Sequence, residues 1–421
     1  MSKHYKNIKN CRICDSDGLA EVVKIEDQYL SPTFVKSNKN NPLSEIRVPH
    51  TLVLCDDCGL LQLRETVEPD LLYKQYFYRS AVSDTMRRDL REVVDDVTSR
   101  VDLDEGDVVV DIGANDCTMI SWFPEICSRI AVEPAENIDW RNVDPSITIV
   151  NDYFSGESIT DALEGKKVKI FTSCAMFYDL DDPNSFVADI KESLDKEGVY
   201  CIQLSYLPAM LRNINFYDIC NEHLEYYSLH TLNNLMNRHG LEIIDAKENE
   251  VNGGSVRVIV THMDRGLVKS RNFLDLLTVE RNMNLFDKQT YIDFHDKILD
   301  LKNKIKKTIG EEVKSGNSVI GLGASTKGNM LLQLFGIGKE TIPYISERNP
   351  DKVGLKTLGT DIELISEEQA REMKPSCMLI LPWYFKNEIV ARERKYIQDG
   401  GKLLFPMPYP HIVHKGGETN L

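Results

Sequence analysis

Four groups of residues in this chain could do chemistry. Cys11-Arg-Ile-Cys14 and Cys55-Asp-Asp-Cys58 place four thiols in two short knuckles. That is the donor set of a tetrahedral structural zinc ion. Four sulfurs leave no open position for substrate or water, so such an ion shapes the fold and takes no part in a reaction. Two unrelated cysteine pairs, or disulfides, are the other readings of this spacing. Cys-x-x-Cys pairs in a chain of intracellular type favour metal.

The second group is Val110-Asp111-Ile112-Gly113-Ala114-Asn115-Asp116, a strand that runs into a glycine turn. A tight turn lets backbone approach a ligand, and an acid about 20 residues on can receive ribose hydroxyls. Glu133, in Ala-Val-Glu-Pro, is that acid. The loop has one glycine, with Cys117 where a later one would stand, and it carries acidic neighbours. It therefore suits a cationic or neutral cofactor better than a diphosphate. S-adenosylmethionine fits, with Asp111 and Asp116 toward its ammonium and Asp152 toward adenine. NAD(H), or a plain strand-turn-helix without a ligand, are the alternatives.

The third group is Asn221-Glu222-His223-Leu224-Glu225-Tyr226-Tyr227-Ser228. A histidine beside carboxylates can be tuned into a general base. It can equally cap a helix or satisfy a buried hydrogen bond. The fourth is Gly321-Leu-Gly323-Ala-Ser325-Thr-Lys327-Gly328-Asn329, a second glycine turn that opens a helix. Amides at a helix start favour anions, and a lysine adds charge. Glu347 follows at the next strand end, as a dinucleotide-fold acid would.

These groups need elements to hold them. Short strands and turns before residue 70 predict a zinc-held β module. Val82, Met86, Leu90 and Val94 repeat at helical spacing over 81–100. Strand-like runs follow at 107–112, 129–133, 147–151, 168–173 and 199–204, with helical stretches between most of them. That alternation predicts a parallel sheet covered on both faces. Runs at 241–246 and 254–261 read as a closing hairpin, and 265–317 as one or two long connecting helices. A second βα series begins at Ser318, with strands at 318–322, 342–346, 377–381 and 402–405. The expected fold is α/β in three domains: a zinc module at 1–70, a central Rossmann-like methyltransferase sheet at 71–265 and a second Rossmann-like domain at 266–421.

Composition narrows the partners. The 421 residues carry a formal charge of -16. An acidic field argues against nucleic acid and anionic membrane as partners. The basic run Lys302 to Lys307 reads as a solvated helix face. No apolar stretch approaches the ~18 residues that would cross a bilayer, and the first ten residues lack the apolar core of a signal peptide. The scattered remaining cysteines read as reduced thiols and predict a cytoplasmic protein.

Taken in order, the motifs resemble the sugar C-methyltransferases, which act on nucleotide-linked ketosugars. They are the zinc knuckles, Tyr76-x-Tyr78-x-Ser80, Asp111-x-Gly113-x-Asn115-Asp116, Val132-Glu133-Pro134, Asn221-Glu222-His223, Asn252-Gly-Gly-Ser255-x-Arg257 and Gly323-Ala-Ser325-x-Lys327-Gly-Asn329. The resemblance runs from Cys11 to about Pro408. It implies a zinc domain, an S-adenosylmethionine domain and a C-terminal domain that helps hold the sugar nucleotide. It also implies a monomer, and removal of a proton beside a ketone before the methyl moves to carbon. Carried over by position, His223 is the base, Glu222 its neighbour, and Tyr76 and Tyr178 further catalytic candidates. Asp111, Gly113, Asn115, Glu133 and Cys174 fall at cofactor positions. Tyr78, Arg79, Asn221, Ser325, Lys327 and Asn329 fall at substrate positions. The chain departs from the family pattern at Cys117, Cys174, Tyr178, Gln203, Cys220 and Asn221. Tyr178 stands where the family has a histidine and could replace it as a hydrogen-bond donor.

Overall fold

The computed structural model describes residues 4–421. Its centre is a seven-stranded sheet. In spatial order the strands are Leu241–Asn249, Ser255–His262, Leu194–Ser205, Val168–Cys174, Val108–Ile112, Ser128–Val132 and Ile147–Val150. Ser255–His262 runs antiparallel to both its neighbours, and the pairings from Leu194–Ser205 to Ile147–Val150 are parallel. Every residue of Val108–Ile112 is buried, as a strand with helices on both faces must be. The strand order reverses between Val168–Cys174 and Val108–Ile112, where open α/β sheets bind ligands. The expected helix at 81–100 is Asp84–Thr98. Ser83 caps it, accepting the Met86 amide at 3.3 Å. Val82 therefore lies before the helix and is exposed.

Two helices, Arg271–Arg281 and Lys288–Lys314, connect this body to the next. The longer buries Tyr291, Phe294, Ile298, Leu301, Ile305 and Ile309, a stripe at three- and four-residue spacing. The C-terminal sheet has nine strands. Val319–Leu322 lies at its centre, between Tyr344–Glu347 and Cys377–Ile380. That is a second switch point. Glu363–Ser366 and the hairpin His411–His414/Gly417–Asn420 extend the sheet beyond the strands legible in sequence.

The N-terminal module is not a separate bead. Its antiparallel strands Leu19–Tyr29, Arg47–Cys55 and Leu61–Leu63 form one sheet, and a strand from the central body, Glu225–Tyr226, completes its edge. In return, Phe34–Val35 pairs with Lys356–Thr357 at the edge of the C-terminal sheet. The N-terminal and C-terminal modules thus each borrow a strand across the expected boundaries. No described helix is long and apolar enough to cross a membrane.

Candidate active site

The four knuckle cysteines converge. Cys11 and Cys58 Sγ lie 3.5 Å apart, Cys14 and Cys55 Sγ 3.6 Å, and all four lie within 4.8 Å of one another. A zinc tetrahedron with bonds of about 2.3 Å has edges of about 3.8 Å, so the set fits one ion. In each knuckle the residue after the second cysteine is left-handed: Asp15 at φ 63° and Gly59 at φ 76°. At Gly59 a Cβ would meet the Phe286 ring at 2.5 Å, so only glycine is accommodated there.

A cavity of about 500 Å³ lies where the two sheets present their switch points to each other. Gly113 forms part of one wall. Its φ is 72°, and a Cβ there would meet Met176 Cγ at 3.0 Å. Asn115 secures the turn: its Oδ1 accepts the Ser80 amide at 3.1 Å and its Nδ2 donates to the Tyr78 carbonyl at 3.1 Å. Glu133 Oε2 accepts the Asn115 amide at 2.8 Å, and its Oε1 accepts the Ala135 amide at 2.9 Å. Asp111 is buried and accepts from Thr172 Oγ1 at 2.8 Å. Burial pushes its carboxyl up to about 7, an effect the Thr172 hydrogen bond only partly offsets. Cys174 lines the same wall, its thiol pushed up by burial.

The His turn forms the floor. Tyr178 and His223 pack with ring centroids 4.0 Å apart and planes tilted by 45°, and the Leu224 amide donates to the Tyr178 carbonyl at 2.7 Å. Burial, then the nearby Lys327 charge, hold His223 well below the usual imidazole range; a hydrogen bond to the Asp218 backbone acts the other way. The ring is therefore neutral. A neutral imidazole keeps one nitrogen as an acceptor. Burial pushes Glu222 up to about 7. Its Oε2 accepts from Ser31 Oγ at 3.3 Å. Tyr76 and Tyr78 line the cavity, as does Arg79, whose guanidinium is held by the carbonyls of Tyr76, Tyr78 and Asn137.

Some expected contacts are engaged elsewhere. Asp116 accepts the Ala81 amide at 2.9 Å and closes its own loop onto Thr118, and it does not line the cavity. Asp152 is exposed and accepts the Tyr153 amide; Tyr153 and Phe154 face the cavity in its place. Asn221 and Asn329 both hold Ser31, through its amide and its carbonyl respectively, behind the wall. Ser325 lines the cavity, but its Oγ caps the helix Thr326–Phe335 by accepting the Gly328 amide at 3.0 Å. Lys327 also lines it, with Nζ 2.5 Å from the buried Asp218 carboxylate. Its charge is already answered inside the protein.

The sequence matches three family models: a zinc binding domain over residues 11–73, a methyltransferase domain over 86–246 and a C-methyltransferase C-terminal domain over 250–408. It is 28% identical over 417 residues to C-methyltransferase NovU of Streptomyces niveus, covering 98% of this chain and 99% of that protein. The chain is a methyltransferase, and its C-terminal region matches the C-methyltransferase model. S-adenosylmethionine is the methyl donor, and the four-cysteine cluster is its zinc site. Among solved structures, magnesium protoporphyrin IX methyltransferase of Synechocystis PCC 6803 with bound SAH aligns over 43% of this chain and 88% of that one, at 9% identity and TM-score 0.33. The glycopeptide N-methyltransferase MtfA complexed with S-adenosylmethionine aligns over 45% and 96%, at 13% identity and TM-score 0.33.

This methyltransferase also carries site residues that motif reading passed over. Asp179 lines the cavity directly after Tyr178; its Oδ1 has no hydrogen-bond partner. Burial and the neighbouring Glu222 charge hold its carboxyl well above the usual range. Tyr73 lines the cavity as well, and its hydroxyl donates to the Glu222 carbonyl at 3.4 Å. An acid in the loop after the fourth strand was the available signal. The partner of Lys327, Asp218, had none.

Proposed function

We propose that this enzyme methylates a carbon beside a ketone on a nucleotide-linked sugar. The observation that carries the reading is a single cavity lined by Gly113, Gly323 and the Tyr178–His223 pair. Donor, nucleotide and base would then meet in one enclosed space. The Gly113 turn and Glu133 would hold S-adenosylmethionine, which would supply an electrophilic methyl group. His223 takes the proton from the substrate carbon through its acceptor ring nitrogen. Glu222, the adjacent residue in the chain, is assigned to stabilise the imidazolium that forms, so it has to be ionised when the proton moves. The Tyr178 and Tyr76 hydroxyls, kept protonated by burial, can donate to the developing oxyanion. Cys220 and Asn221, two of the departures from the family pattern, lie behind the cavity wall. Cys174, Gln203 and Tyr178 are departures that line it, and Tyr178 is the one packed against His223.

The test is a panel of nucleotide 4-ketosugars incubated with methyl-labelled donor. The expected product carries the label on carbon. In addition, the enzyme with S-adenosylhomocysteine should exchange the substrate's α-proton with deuterated water. Label on oxygen or nitrogen, without exchange, sinks the reading.

A further inference from the structure

Among the acids that line the cavity, Asp179 stands apart. Glu133 and Glu347 accept backbone amides, and Asp111 and Glu222 accept the hydroxyls of Thr172 and Ser31. Asp181, Glu367 and Glu388 meet Lys6, Arg392 and Arg348. Asp179 Oδ1 is closed off from solvent and has no hydrogen-bond partner. An unpaired buried polar atom is costly, so a partner from outside the chain is called for.

The fold puts this carboxyl beside the reacting groups. It ends the short turn Phe177–Asp179, whose closing bond runs from the Asp179 amide to the Met176 carbonyl at 3.0 Å. Through Met176 the same loop stands against Gly113, on the cofactor side of the cavity. Through Tyr178 it is pinned to the His turn, by the ring against His223 and by the bond from the Leu224 amide. Asp179 therefore moves with neither wall alone.

Its surroundings keep the proton on. Burial is the main cause, and the Glu222 and Glu225 charges add to it; Tyr73 and Lys327 also face the group and favour loss of the proton. Lys327 is already paired with Asp218. Two carboxyls in one site divide their roles when their surroundings differ. With Glu222 ionised, Asp179 is the one that holds a proton, and a carboxylic acid has one O–H to donate.

We propose that Asp179 is a further catalytic residue, donating its carboxyl O–H to the substrate ketone oxygen as that oxygen gains charge. In the step it serves, the bond from the α-carbon to hydrogen breaks and the proton goes to His223. The bonding pair becomes a carbon–carbon double bond, and the carbonyl π pair moves onto oxygen. That oxygen accepts the Asp179 hydrogen bond, and the proton stays on the carboxyl. When the carbon takes the methyl group, the double-bond pair forms the new bond, the oxygen pair restores the ketone, and the carbon–sulfur pair stays on sulfur. A carboxylic acid is more acidic than the Tyr76 and Tyr178 phenols by about 6 pKa units in water, so it is the stronger donor to the same oxyanion. The role rests on the ketosugar reaction proposed above, and it belongs to a residue outside the motifs.

The test gives the full zinc-loaded chain, with S-adenosylhomocysteine bound, the nucleotide 4-ketosugar of the panel that wild type methylates fastest. Exchange of the α-proton with deuterated water is followed by NMR. Asp179→Leu should slow exchange and lower kcat roughly 10²–10³-fold, with KM and S-adenosylhomocysteine affinity kept. Asp179→Asn retains a donor and should stay within about tenfold of wild type. Without any sugar, the infrared spectrum of the S-adenosylhomocysteine complex at neutral pH should contain a protonated-carboxyl band that Asp179→Asn removes. The assignment is overturned if Asp179→Leu exchanges as fast as wild type, if Asp179→Asn is as slow as Asp179→Leu, if KM rises while kcat is kept, or if the band is missing. Should Asp179→Leu fail to fold, the Asp179→Asn rate and the infrared band decide. No exchange by wild type with any panel sugar would instead sink the proposed reaction, and this role with it.

Discussion

Arg12, inside the first cysteine knuckle, lies with its Nε 3.5 Å from the carboxylate of Glu225, two residues past His223. Both side chains are buried, and both Arg12 Nη atoms donate to the strand region after the second knuckle, to the Leu63 carbonyl and Thr66 Oγ1. The zinc module thereby holds the chain that carries the candidate base. Arg12→Ala leaves an uncompensated buried carboxylate and should cost roughly 3–5 kcal/mol. Denaturant unfolding measures it. The paired change Arg12→Met with Glu225→Gln should lose much less. Chelating the zinc should raise amide exchange at Glu225–Tyr226 along with the knuckles; protection unchanged there would deny the link.

Turnover should depend on pH through Glu222. Its carboxyl is pushed up to about 7 by burial, and the proposed step needs it ionised. Activity is therefore present above about pH 7 and falls tenfold per pH unit below it. Glu222→Gln should lower kcat and erase that limb. An unchanged profile in the variant would assign the titration to another group.

Stability should have its own pH dependence, from Asp111. Its folded pKa is raised from 3.8 to about 7, so the folded state binds the proton more tightly than the unfolded chain. Stability is fully present below about pH 4 and is lost as pH rises toward 7, by about 4 kcal/mol from this group. Asp111→Asn keeps the Thr172 contact and should flatten that slope. Thermal melts from pH 5 to 8 compare the two, and parallel curves would rule the assignment out.

Binding and chemistry should separate by residue. Gly113→Ala forces a side chain onto φ 72° against Met176 and should weaken S-adenosylhomocysteine at least tenfold in calorimetry. His223→Ala should keep that affinity and lose roughly 10²–10⁴ in turnover. Tyr178→Phe removes one hydroxyl and keeps the ring against His223. A drop in kcat without a change in cofactor affinity would place that hydroxyl in the reaction.

The parts legible from sequence are those set by local signals. The buried run Val108–Ile112, the glycine turns and the spacing to Glu133 and Glu347 need only neighbouring residues to specify them. The four cysteines were legible for the same reason. What stayed hidden depends on distant partners. Nothing near Lys327 in sequence announces Asp218, and nothing near Asp116 shows that its oxygens are taken by Ala81 and Thr118. Two-residue strands such as Glu225–Tyr226 carry no periodicity to read; the sheet they join defines them.

Phe34–Val35 finds its pairing partner at Lys356–Thr357. During synthesis, this strand waits for more than 300 further residues before its hydrogen bonds can close. A strand made earlier is finished by one made much later. A version cut between the modules would expose raw β edges on both fragments, a ready route to aggregation. Transplanting only one module into a relative would do the same unless both borrowed strands travelled with it.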